Sequence, residues 1–262
     1  MIVDRLSEVD FSLVLSGGGA LGVAHLGVVH DLESEGIVPS EIVGTSMGGI
    51  IGACMAIGMS ESEIYEQIDG FAGITNWIKF SFSGNAIIDN DKIADIFGLI
   101  FKDLKMRDTK IPLKLITTNL LNGEKRVFDA KDDLYIKDVV LATMAIPGIF
   151  DEHIIDGGIY GDGFLCENLG VSEASYDDVL AVDVLGHNSF DKEMPNNFFK
   201  TSNVLEMFER SIRLLILNQS KTHISNSDRD IYLLEPDTRE YKTFDFHKVD
   251  EIRELGMGLV YK

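Results

Sequence analysis

Phe11-Ser12-Leu13-Val14-Leu15-Ser16-Gly17-Gly18-Gly19-Ala20-Leu21-Gly22 is followed, a helical pattern later, by Glu41-Ile42-Val43-Gly44-Thr45-Ser46-Met47-Gly48. Each stretch is a short apolar run that ends in glycines. Phe11 to Leu15 carries no charge and does not alternate polar with apolar residues, which is the pattern of a strand buried on both faces. Leu26, Val29 and Leu32 then recur at helical spacing between Val23 and Glu35, and Gly36 supplies a C-cap. Glu41 to Val43 reads as a second strand and Met47 to Met59 as a second helix, in which Gly48, Gly49, Gly52 and Ala53 permit close packing. Strand, turn and helix, repeated, argue for a parallel sheet covered on both faces.

Outward from this opening the alternation continues. Ser60 and Glu63 form a capping-box pattern for a helix through Ile68, and Asp91 to Phe101 is amphipathic. Leu113 to Thr118 reads as a strand joined through an Asn122-Gly123 turn to a second strand, Lys125 to Phe128. A helix from Tyr135 to Ala145 stops before Pro147. Val179 to Val184 and Ile231 to Leu234 read as strands, and Val204 to Leu217 and Val249 to Leu255 as helices. No repeat or linker interrupts the series. A chain of 262 residues can bury its own core, so one α/β domain over 11–262 is expected, with its motifs in about 11–185 and residues 1–10 as an N-terminal extension. Phe11–His30 and Ile42–Ser60 lack charge but are broken by glycines and hydroxyls, so they read as buried units and not as membrane spans.

Charge narrows the function classes. Lys and Arg number 23 against 43 Asp and Glu, a net charge of −20, which repels phosphate backbones, so no nucleic-acid partner is expected. Cys54 and Cys166 cannot form a disulfide framework and fit no metal motif, and the first ten residues are acidic, unlike a secretory signal. A cytoplasmic protein is the expectation.

Two segments carry chemistry. Gly17 to Gly22 follows a strand and opens a helix, where unencumbered backbone N–H groups favour negative charge. It satisfies G-x-G-x-x-G, so a dinucleotide-phosphate site, an oxyanion hole and a plain tight turn all compete. The dinucleotide reading also wants an acid at the end of the second strand, where Gly44-Thr45-Ser46 stands instead. Gly44-Thr45-Ser46-Met47-Gly48 is G-x-S-x-G between a strand and a helix, the setting of a nucleophile elbow. Its hydroxyl needs a base. His187, His223 and His247 lie downstream, but none sits in a glycine-marked turn, and only one strand precedes the elbow, unlike an α/β-hydrolase. A carboxylate is therefore the expected base, and Ile154-Ile155-Asp156-Gly157-Gly158-Ile159-Tyr160-Gly161-Asp162-Gly163 offers two.

The ordered series Gly17–Gly22, Gly44–Gly48, Ala145-Ile146-Pro147-Gly148-Ile149-Phe150 and an Asp-Gly turn resembles the patatin-like phospholipases. The resemblance runs from about Phe11 to the C-terminus and implies a three-layer patatin-like sandwich with a mostly parallel central sheet. It also implies a serine lipid acyl hydrolase with a Ser-Asp dyad and no metal or cofactor. Ser46 then corresponds to the nucleophile, and the amides of Gly17, Gly18 and Gly19 to the oxyanion donors. Position before Glu167-Asn168-Leu169-Gly170 favours Asp162 as base. Asp156, with the literal Asp-Gly-Gly, is the alternate and would otherwise mark a hairpin turn. Leu21, where many bacterial relatives carry a basic residue, and Gly170, in place of a proline, depart from the pattern.

A lipid or acyl ester is the implied substrate. Phe71, Ile74, Trp77, Ile78, Phe80 and Phe82, with Lys79 the one charge among them, could line an acyl pocket or touch a membrane transiently, or simply pack in the core. A non-catalytic lipid-binding module of the same fold and a dinucleotide-binding oxidoreductase are the alternatives.

Overall fold

The computed structural model describes residues 2–75, 90–190 and 204–262. The chain is a single three-layer α/β domain around an eight-stranded sheet. Strands β1 (Phe11–Leu15), β2 (Glu41–Thr45), β3 (Leu113–Asn119), β7 (Asp178–Val182) and β8 (Asp230–Leu234) run parallel in the order β3-β2-β1-β7-β8. Strands β4 (Lys125–Phe128), β5 (His153–Ile155) and β6 (Gly158–Asp162) are antiparallel additions at the β3 end.

Alternate residues of each central strand enter two separate cores. Leu13 and Leu15 of β1, Ile42 of β2 and Leu115 of β3 join the larger one, packed with α2 (Ala24–Ser34), α3 (Ser46–Ala56), α4 (Glu61–Thr75), α5 (Asn90–Phe101), α6 (Ile136–Met144) and α8 (Val249–Glu254). Val14, Val43 and Ile116 point the other way, toward Leu169, Val171, Ala174 and Ile224 of α7 (Val204–Ser225). Burial on both sides is why these strands read as continuous apolar runs.

Local signals account for most boundaries. Ser60 and Glu63 form the capping box in full: the Ser60 N–H donates to Glu63 Oε2 at 2.8 Å and the Glu63 N–H to Ser60 Oγ at 3.3 Å. Gly36 takes a left-handed φ of 67° just past α2. Some elements depart from the sequence reading. Helix α7 continues to Ser225, beyond the apolar periodicity that ends near Leu217. Residues 1–10 contain a short helix, α1 (Ile2–Leu6), that buries Val3 and Leu6. Its Arg5 makes a two-pronged bond to Asp178 at the start of β7, both contacts 2.9 Å. The aromatic segment from Phe71 to Phe82 lies largely outside the described residues.

Strand β3 brings the ends of β2 and β6 together. Its residues Leu113–Ile116 pair with β2, Leu115–Thr118 with β4, and Thr117–Asn119 with β6. Because each of the first and last sets overlaps the β4 set, β2 and β6 must both lie on the edge opposite β4. Strand β2 leaves that edge after Thr45, opposite Ile116, and β6 arrives there with Asp162, opposite Thr117.

The start of α3 can only lie where it does because Gly48 has no side chain. A Cβ there would meet the Leu15 carbonyl oxygen at 2.4 Å and that of Ser16 at 2.5 Å. Gly48→Ala is therefore expected to cost about 3 kcal/mol or more in urea unfolding. Gly98→Ala, inside α5 with nothing within 4 Å of the new methyl, should stabilise by about 1 kcal/mol.

Candidate active site

Ser46 stands between β2 and α3. Thr45 is still extended, whereas Ser46 has a φ of 52°, a left-handed conformation that costs a non-glycine residue about 1–2 kcal/mol. Strain of this kind persists only where the surroundings over-determine it. Here the Ser46 N–H donates to Thr143 Oγ1 at 3.0 Å, and the Thr143 hydroxyl donates to the Ile116 carbonyl at 2.6 Å.

Asp162 ends β6 and is fully buried. Its backbone is tied on both sides: the N–H donates to the Ala145 carbonyl at 2.8 Å, and the carbonyl accepts from Thr118 Oγ1 at 2.9 Å. Gly163 must follow it, since a Cβ there would sit 2.3 Å from the Ile116 carbonyl oxygen. Asp162 Oδ1 accepts the Phe164 N–H at 3.0 Å, while Oδ2 is buried without a hydrogen-bond partner of full geometry. The Ser46 hydroxyl is close enough to favour the ionised carboxylate without being locked to Oδ2. Burial is the larger effect and pushes the Asp162 carboxyl up to about 7, opposed by Ser46 and the Phe164 amide.

Asp156 is elsewhere. It is exposed at the tip of the β5–β6 hairpin, where Asp156 and Gly157 have φ of 49° and 80°, the two left-handed residues of a tight two-residue turn. At about 3.3 Å per strand residue it is roughly 15 Å from Asp162. Of the two Asp-Gly turns, Asp162-Gly163 is thus the one beside Ser46.

The glycine loop completes the arrangement. A Cβ on Gly17 would lie 3.0 Å from the Ser46 Cβ and 2.6 Å from Asn168 Oδ1. The amides of Gly17, Gly18 and Gly19, the oxyanion donors that the resemblance implies, are not placed alike. The Gly17 N–H donates to the Asn168 carbonyl at 3.3 Å, because the chain after β6 returns alongside the loop. Asn168 also donates Nδ2–H to the Gly17 carbonyl at 3.2 Å, so it grips that peptide from both sides. The N–H groups of Gly18 and Gly19 meet no protein acceptor among the described residues. Beyond them the loop is anchored by the Ala20 N–H on the Thr243 carbonyl at 2.8 Å.

Histidines stand apart from this pair. His25 is buried and donates through Nε2 to the Ser16 carbonyl at 2.8 Å; desolvation lowers its pKa to about 4, so it is neutral and holds the loop entrance. His223 pairs with Glu167 at 2.9 Å. Among the described residues no histidine bonds to Ser46 or Asp162, and no cluster of His, Cys, Asp and Glu is arranged to hold a metal. Leu21 is fully buried, which accounts for an apolar residue there. At Gly170 a Cβ would press on Ile116 and Val43, at 2.5 and 2.8 Å. Thr143 and His25 carry no sequence signal of their own, and Asn168 had one only as part of a familiar stretch.

A glycine loop, a serine at a strained strand-to-helix turn and a buried aspartate thus meet at the C-terminal edge of the parallel strands. Residues 13–175 match the patatin-like phospholipase family, and the chain belongs to it. Lysophospholipase NTE1 of Debaryomyces hansenii is 27% identical over 97% of this chain, and that of Meyerozyma guilliermondii 28% identical over 96%. The chain spans only 18% and 19% of the length of these relatives. VipD from Legionella pneumophila shares the fold, with a TM-score of 0.51 at 13% identity, covering 96% of this chain and 66% of that one. Among the described residues no helix is long and apolar enough to cross a membrane.

The raised Asp162 value has a signed consequence. A carboxyl that binds its proton more tightly when folded contributes stability at low pH and loses it as pH rises from about 4 to about 7. Asp183, also buried and pushed up to about 6, adds a dependence of the same sign. The difference between wild type and Asp162→Asn isolates the first. We expect Asp162→Asn to melt several degrees above wild type at pH 8, on the order of 4 kcal/mol at most, with the gap closing near pH 4. Calorimetry at the two pH values reads it.

Proposed function

We propose that this protein is a serine lipid acyl hydrolase that cleaves carboxylic esters of lysophospholipid type through an acyl-enzyme. The observation that carries the reading is the buried, incompletely satisfied Asp162 carboxyl beside the strained Ser46. Asp162 takes the Ser46 proton, and the serine oxygen attacks the ester carbonyl. The amides of Gly18 and Gly19 receive the developing oxyanion, where one donor contributes about 2.7–4 kcal/mol of transition-state stabilisation. The tetrahedral intermediate collapses to acyl-serine, and the proton held by Asp162 passes to the leaving alcohol. Water, deprotonated by the same carboxylate, then attacks the acyl-serine, the fatty acid leaves, and the proton on Asp162 returns to the Ser46 oxygen. A base with a pKa near 7 is matched to work at neutral pH, and the scheme requires no metal or cofactor.

The substrate class rests on the names of the relatives, which are lysophospholipases, and on charge. A zwitterionic headgroup carries no net charge for a protein of net charge −20 to repel, so contact with a lipid surface would be transient and apolar.

Purified protein should hydrolyse 1-palmitoyl-lysophosphatidylcholine and react with a fluorophosphonate probe. Ser46→Ala should abolish both, Asp162→Asn should slow turnover by about 10²–10⁴, and Asp156→Asn should leave it within about twofold. A wild-type protein that binds lipid but neither turns over nor labels would mark a non-catalytic lipid-binding module instead.

A further inference from the structure

Strand β3 changes partner directly beneath the site, from Thr45 opposite Ile116 to Asp162 opposite Thr117. There a buried N–H, from Ser46, and a buried carbonyl, from Ile116, both bond to one atom, Thr143 Oγ1, which accepts from the first at 3.0 Å and donates to the second at 2.6 Å. A neutral hydroxyl is suited to this because a single oxygen can do both. Thr143 is completely buried. Its methyl lies toward α3, where a Cβ on Gly49 would meet Thr143 Cγ2 at 3.1 Å, and β-branching stiffens the side chain about χ1. Two residues on, the Ala145 carbonyl accepts the Asp162 N–H at 2.8 Å. The C-terminal end of α6 is thereby bonded to the residue that carries the hydroxyl and to the residue that carries the carboxyl.

We infer that Thr143 is a positioning residue for ester hydrolysis: its hydroxyl holds Ser46 in the left-handed conformation and so sets how the serine oxygen approaches Asp162. This rests on the reading of Ser46 and Asp162 as the reacting pair. Without the hydroxyl, the Ser46 N–H loses the side-chain acceptor that it has in that conformation, and the strained turn loses that restraint. Thr143 is buried and bonds only to backbone groups beneath the serine, so the loss should fall on turnover and not on binding. Ser46 also favours ionised Asp162, so a displaced Ser46 should move the acidic limb of the pH profile upward.

The test compares wild type with Thr143→Val, Thr143→Ser and Thr143→Cys, with Ser46→Ala as blank. Each is assayed on p-nitrophenyl butyrate and on 1-palmitoyl-lysophosphatidylcholine from pH 5 to 9, per mole of folded protein by near-ultraviolet circular dichroism. Thr143→Val should lower kcat at least about tenfold with KM within about twofold, and shift the acidic limb to higher pH. Thr143→Ser should return kcat to within about threefold of wild type and restore the limb. If the valine variant does not fold, cysteine decides, since its thiol is a weak donor and acceptor in a side chain close to serine in shape. It should turn over at least about fivefold more slowly than the serine variant. Equal kcat for serine and cysteine variants, or a valine variant with wild-type kcat or an unmoved acidic limb, would overturn the inference. Wild-type protein without Ser46-dependent turnover would remove the functional reading along with it, whereas normal turnover in both wild type and Thr143→Val removes the positioning role alone.

Discussion

A β-strand has two edges, and on one of them β3 accepts two partners in succession. Strand β2 occupies it as far as Ile116 and must then leave, because Ser46 begins a helix; β6 enters from the opposite direction and ends at Thr117. Two side chains distant in sequence are thus delivered to consecutive positions along one strand. The distance between them is fixed by the register of a hydrogen-bonded ladder, not by a flexible loop. The close approaches nearby follow from the same crowding: Gly163 against the Ile116 carbonyl, Gly48 against Leu15 and Ser16, Gly17 against Ser46.

Crowding also sets the electrostatics. Packing both ends of the pair into the sheet excludes water from Asp162, and among the described residues no charged neighbour offsets the desolvation. The carboxyl therefore resists ionisation, and the fold bears a pH-dependent penalty for holding it there. The glycine loop shows a related economy of donors. Asn168 consumes the Gly17 amide to fix the loop's course, and the two amides beyond it stay free because the loop is held from outside, by Asn168 on one flank and Thr243 on the other.

Much of this was legible in the residues. The strand-glycine-helix repeats announced the parallel sheet, and G-x-S-x-G in that setting announced the turn at Ser46, since both depend on local sterics. The separation of Asp162 from Asp156 was not, on residue chemistry alone, because each is an aspartate before a glycine. It depended on family position, and the physical cause is the register of β6 on β3. Thr143 was silent because a threonine near the end of a helix is common, and only the change of partner along β3 brings two backbone groups to its hydroxyl. The bond between the Gly17 amide and the Asn168 carbonyl was not legible, because the return of the chain at Asn168 cannot be inferred from the loop itself. The extent of α7 was missed because Asn218 to Ser225 is polar, with little apolar periodicity to follow.

The order of the strands has a consequence in time. Every element around Ser46 up to β3 precedes the hairpin that brings Asp162, and the aspartate reaches its ladder position, opposite Thr117, only when β6 pairs with β3. A growing chain therefore displays its serine turn well before any carboxylate stands beside it, and gains the pair only when β6 docks. The same dependence makes the β5–β6 hairpin a natural place to divide the protein. A fragment ending before β5 and a second fragment beginning there would each hold one member of the pair, and reassociation along the free edge of β3 would be needed to reunite them.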